Sequence, residues 1–148
     1  MYQLAQLNIA TALHDMESTN MSGFVQGLDP VNQTAEAAEG FIWRLQDESG
    51  NATNIQYFDD PKMLVNMSVW RDIECLKHFM FKTHHRHFMQ QRSQWFEQAN
   101  VAKYVLWSVK QGHIPDLHEA MDKLSLLRQC RPAKDAFSFS NVFPAPKH

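Results

Sequence analysis

The stretch YQLAQLNIA, residues 2–10, decides the fold. Ala5, Leu7 and Ile9 fall on one side of it, and Gln6 and Asn8 on the other. A period of two marks a half-buried β-strand. FIWRLQ (41–46) repeats the pattern, with Phe41, Trp43 and Leu45 opposite Ile42, Arg44 and Gln46. MLVNMSVW (63–70) is a third strand, with Asn66 and Ser68 on one face. KYVLWSV (103–109), β-branched and aromatic, is the last long one. NIQYF (54–58), behind the turn DESGNAT (47–53), predicts a short return strand. The tail from about residue 131 offers a short edge strand at Phe137–Phe139 before its prolines stop it.

Helical spacing fills the gaps. Met21, Phe24, Val25 and Leu28 recur at i, i+3, i+4 and i+7. Asp29-Pro30 predicts a restart, with Asp29 as N-cap and Pro30 in the first helical position. Gly40 reads as the C′ residue of that second segment. A helix is expected from about Asp72 to Phe96, and PDLHEAMDKLSLLRQ (115–129) carries Leu117, Ala120, Leu124 and Leu127 at helical spacing. The order β-α-β-(β)-β-α-β-α contains a split βαβ unit. It predicts an α+β, ferredoxin-like domain whose antiparallel sheet is covered by helices on one face. The other face must stay wet or meet a second sheet, and its apolar rows favour a homodimer. No repeat or linker divides residues 1–148, so one domain is expected.

Composition excludes several classes of function. The 148 residues are 44% hydrophobic and 20% charged, with a net charge of −2. There is no basic field to attract nucleic acid or an anionic membrane. No window approaches the ~18 apolar residues of a membrane span, and the N-terminus lacks signal-peptide regions. Cys75 and Cys130 form no metal or redox spacing. A cytoplasmic protein with reduced thiols is the expectation. No dinucleotide fingerprint, P-loop or nucleophile elbow occurs.

Three strands carry same-face polar pairs: Gln6 with Asn8, Arg44 with Gln46, and Asn66 with Ser68. Amides and one guanidinium, interleaved with Leu64 and Trp70, suit a pocket that orients a polar small molecule. Arg44 suits a carboxylate. The same residues are also routine on a solvated sheet face.

KHFMFKTHHRHFMQQRSQWF (77–96) holds four of the eight histidines. Steps of 100° separate His84 and His87 from His78 and His85, which share a side with Arg92 and Phe96. The apolar stripe changes sides along the segment, predicting either a bend or break near Lys82–Thr83 or a helix covered on two sides. His84 and His87 lack further ligands at a familiar spacing, so no metal site is expected. His85 and Arg92, two turns apart on one face, suit acid–base or anion-binding work.

The blocks LAQLNIA, GFIWRLQDESGNAT, FDDPKMLVNMSVW, RSQWF, VLWSVKQGHIP and AFSFSNVFPAP resemble those of the bacterial family known as domain of unknown function 3291. The resemblance runs from about Leu4 to Pro146. It implies a dimeric α/β barrel, similar to antibiotic-biosynthesis and haem-degrading monooxygenases, with ligands bound between sheet and helices. Matching positions include Asn8, Trp43, Arg44, Gln46, Asn66, Ser68, Trp70, His85, Arg92, Trp95, Trp107, His113 and Pro115, whereas His84 and His87 depart from the pattern. The resemblance implies a monooxygenase-like enzyme without a cofactor. Asn8, Arg44, Gln46 and Asn66 would then bind a polar or anionic substrate, Trp43, Trp70 and Trp95 would line an apolar slot, and His85 and Arg92 would be catalytic. A haem protein with His85 as axial ligand, its propionates held by nearby basic residues, is one alternative. A non-catalytic binding or dimerisation module is another.

Overall fold

The computed structural model describes residues 1–15, 18–45, 62–82, 92–97, 103–129 and 136–138. Strands β1 (Tyr2–Thr11), β2 (Phe41–Arg44), β3 (Met63–Trp70) and β4 (Tyr104–Lys110) form one sheet in the order β2-β3-β1-β4. Every pairing is antiparallel. With a helix between β1 and β2 and another between β3 and β4, this is the expected ferredoxin-like arrangement.

Alternation along β1 sorts the core into two sides. Ala5, Leu7 and Ile9 join Val65, Met67, Val69, Val105, Trp107 and Val109 in one buried cluster. Helix α4 (Leu117–Gln129) adds Ala120 and Leu124 to it. Leu4, Trp70 and Leu106, of opposite parity, pack instead with α1 (Ser22–Ala37) and α2 (Ile73–Lys82). Helices therefore lie on both faces of the sheet, where the sequence predicted one. The stripe Leu117–Ala120–Leu124–Leu127 was legible, but helical spacing does not say which face of a sheet a stripe will cover.

Helix α1 runs unbroken through Pro30, contrary to the expected restart. Proline inside a helix costs about 3 kcal/mol. Here the apolar stripe Phe24–Leu28–Val31–Ala35 continues across it and packs at both ends of the sheet face, which outweighs that local preference. Thr34 Oγ1 donates to the Pro30 carbonyl at 2.9 Å.

The helix ends with Ala38 as C-cap, so Gly40 stands one residue beyond the expected C′ position. Its φ is +81°, and a Cβ there would lie 2.4 Å from Cys75 Sγ. Gly40 is required for both reasons. Its carbonyl accepts the Arg71 backbone N–H at 2.7 Å, fixing where β2 begins.

In β2 a register irregularity falls between Phe41 and Trp43. Phe41 pairs with Trp70 and Arg44 with Ser68, so both point toward α1 and α2. Trp43 and Leu45 pack on the other side, against the Leu7 cluster. Strict alternation had put Phe41 with Trp43, and the bulge overturns that.

Helix α2 is described as far as Lys82, and a short helix α3 spans Arg92–Trp95. The course of the expected helix between residues 83 and 91 lies outside the described residues. Beyond α3, Glu97 N–H donates to the Thr11 carbonyl at 2.9 Å. Phe137 and Leu106 exchange two backbone hydrogen bonds of 2.8 Å, which places the expected edge segment against β4. The expected strand 54–58 lies outside the described residues. Among those described, no helix is long and apolar enough to cross a membrane.

Candidate functional site

Cross-strand pairing turns the helix-facing side of the sheet into ordered rows. Phe41, Trp70 and Leu4 stand abreast; next come Arg44, Ser68 and Gln6, then Asn66 and Asn8, then Leu64 and Ala10. The first and last rows are apolar and belong to different clusters. Trp70 packs with Phe41, Leu76 and Phe79, its ring stacked on Phe79 at 5.2 Å between centroids. Leu64 packs with Ala12, Met21, Phe24 and Trp95. Between these clusters the floor is polar.

That polar strip is wired together. Gln6 Nε2 donates to Asn66 Oδ1 at 2.6 Å and to Ser68 Oγ at 2.8 Å. Trp70 Nε1 also donates to Ser68 Oγ, at 2.8 Å. Gln6 and Ser68 are only 9% and 7% exposed, whereas Asn66 is open to solvent, so the strip descends from a wet mouth to a buried end. Buried polar groups cost about 1–3 kcal/mol each if unpaired, which is why these are bonded to one another. Arg44, its side chain 11% exposed, continues the row at the β2 edge. Its Nε lies 3.4 Å from Oε2 of Glu36 on α1, a carboxylate 44% exposed.

Of the predicted site residues, the structure brings Asn8, Arg44, Asn66 and Trp70 together on one face. Trp95 stands at the far end of that face, in the Leu64 cluster. Trp43 points to the other side of the sheet and does not share a slot with Trp70 or Trp95. Gln46, His85 and the side chain of Arg92 lie outside what is described. Gln6 and Ser68 are the hub of the network and were the weaker of the sequence signals, visible only as same-face partners of Asn8 and Asn66. Glu36 carried no signal in sequence.

Two other clusters bear on chemistry. An open groove of about 610 Å³ lies between the end of α1 and the start of α2, lined by Thr34, Glu39, Arg71, Asp72, Cys75 and His78 among others. Burial pushes the Cys75 thiol up, and Asp72 beside it adds to the shift. A thiol held protonated is a poor nucleophile. The backbone N–H of Cys75, which donates to Asp72 Oδ1 at 2.9 Å, holds that carboxyl below its usual range. This is a helix cap.

Elsewhere Glu119 bridges two groups. Its Oε2 accepts the buried Trp107 indole N–H at 3.0 Å, and its Oε1 lies 2.7 Å from His113 Nε2. The bridge ties α4 to β4. No group of three or more metal-binding side chains occurs among the described residues.

The fold is similar to that of SO0527 from Shewanella oneidensis, with a TM-score of 0.50 at 12% identity. That match covers 74% of this chain and 95% of the other. PA3566 from Pseudomonas aeruginosa matches with a TM-score of 0.49 at 14% identity, over 74% of this chain and 93% of its own. At such identities the likeness concerns the fold alone. No curated protein matches the chain. The family model described as Domain of unknown function (DUF3291) matches residues 3–148, and the chain belongs to that family.

Proposed function

We propose that the polar strip between the two apolar clusters binds a small polar or anionic organic molecule. Arg44, Ser68, Gln6 and Asn66 orient it, and Trp70 flanks it at the buried end. One observation carries this reading: a continuous sheet–helix interface is interrupted by a bonded row of amides and a hydroxyl. Apolar side chains of similar volume would fill that space without the desolvation these groups incur. Specific small-molecule sites combine apolar walls with a few fixed polar groups in this way.

The strip itself holds amides, a hydroxyl, an indole and a guanidinium. Such groups bind and orient but exchange no proton near neutral pH. Monooxygenase-like turnover would therefore need a proton acceptor from outside the strip, the part assigned to His85. A haem ligand would be the same residue. The expected homodimer belongs to the proposal as well, and light scattering at about twice 17.2 kDa would support it.

The binding test is a thermal-shift screen of small organic molecules on the parent and on Asn66→Leu, chosen because Asn66 is exposed. A ligand at about ten times its Kd adds roughly 1.4 kcal/mol, or about 4–5 °C for a chain of this size. Hits that stabilise the parent and lose most of that shift in Asn66→Leu support the reading. Hits indifferent to Asn66→Leu would place the site elsewhere.

A further inference from the structure

We infer that one chain closes both faces of its own sheet, so that two copies do not share the sheet core of a dimeric barrel. Sheets that pack face to face lie about 10 Å apart, and each must leave a row of apolar side chains open for the other. Here that row is already covered. Leu7, Met67, Val69, Val105 and Trp107, drawn from three strands, are each at most 1% exposed within a single chain. The opposite side is closed as well, with Trp70 and Leu106 buried in the cluster they form with α1 and α2.

The cover on the first side is built for its place. Asp116 starts α4: its Oδ1 accepts the Glu119 backbone N–H at 2.8 Å, and its carbonyl accepts that of Ala120 at 3.1 Å. Ala120, fully buried, lets the helix approach the strands closely, and Leu124, one turn on and also fully buried, fills the space beside it. Glu119 then fixes the helix to the face itself, because its Oε2 accepts the buried Trp107 indole N–H at 3.0 Å. An indole N–H can only donate. A sheet arriving from a second copy would therefore have to displace α4 and also strand this buried donor. With the barrel excluded, no residue of a second copy is needed to close the sheet behind the polar strip. A homodimer then meets through helix surfaces or strand edges.

The experiment unfolds equal amounts of isotope-labelled and unlabelled full-length chain together, refolds them, and records isotope-filtered NOE spectra, which report only contacts between copies. In a uniformly labelled sample the Trp107 indole N–H and the Val105 methyls should show cross-peaks to Glu119 and Leu124 of α4. In the mixed sample the filtered spectrum should be blank at these protons and at Val69. That blank supports the inference whether light scattering gives 17.2 kDa or twice that mass. Filtered cross-peaks from Trp107 or Val69 to strand protons of a second copy would establish a shared barrel and overturn it. Filtered cross-peaks from Trp107 to Leu124 would show α4 exchanged between copies and overturn it equally. Ligand binding at the strip is decided separately, by the Asn66→Leu screen.

Discussion

Replacing Ser68 by alanine tests whether the polar strip is wired as described. The change removes one oxygen and so deletes two hydrogen bonds at once. Gln6 keeps its bond to Asn66, so that loss is about 0.5–1.5 kcal/mol. The Trp70 indole is different. Trp70 is 1% exposed, and its N–H would be left buried without an acceptor, at about 1–3 kcal/mol. Together these give about 2–4 kcal/mol. With an unfolding entropy near 2.1 cal/mol/K per residue, 148 residues lose about 3 °C per kcal/mol, so Tm should fall by roughly 6–12 °C. The Trp70→Phe background sharpens the assay, because the stranded donor is then absent. There Ser68→Ala should cost only about 1 kcal/mol, giving a coupling energy of about 1–3 kcal/mol in a double-mutant cycle read by chemical denaturation. A Tm within 2 °C of the parent, or a coupling below about 0.5 kcal/mol, would show that Ser68 is not the acceptor of the Trp70 indole N–H.

Gly40→Ala should lower stability by about 2–5 kcal/mol, combining left-handed strain with a Cβ pressed onto Cys75; denaturant midpoints check it, and Cys75→Ala should recover part of the loss. Asp72→Ala should cost about 1 kcal/mol at pH 7 by uncapping α2. Because the folded-state pKa of Asp72 is depressed, that contribution is present above the unfolded carboxylate range and is lost as pH falls through the folded value. The gap between parent and variant in urea titrations should accordingly close on acidification. Glu119→Ala should cost about 1–3 kcal/mol by stranding the Trp107 indole N–H, whereas Glu119→Gln, which still offers a carbonyl oxygen, should retain most of the stability.

Much of this architecture was legible because strand periodicity is a local property. Gln6, Asn66 and Ser68 had to share a face once their strands were recognised, and the topology followed from the order of elements. What escaped was decided between elements. Nothing in FIWR announces a bulge, yet that bulge brings Phe41 onto the face of Arg44 and leaves Trp43 on the other. Pro30 carries a strong local signal for a helix start, overridden because the stripe on either side of it has apolar surface to bury. Glu36 meets Arg44, and Glu119 meets Trp107, across contacts that no spacing encodes. The histidine-rich segment shows the same limit. The expected break near Lys82–Thr83 falls at the edge of the described residues, and the proposed roles of His85 and Arg92 depend on side chains outside them.

The central claim is that the strip formed by Arg44, Ser68, Gln6 and Asn66 holds a ligand. A high-resolution crystal structure of the protein soaked with benzoate tests it most directly. The carboxylate should lie within hydrogen-bond distance of Ser68 Oγ and the Arg44 guanidinium, with the ring toward Trp70. Benzoate seated instead in the Arg71–Cys75 groove, with the strip closed by the protein's own side chains, would contradict it.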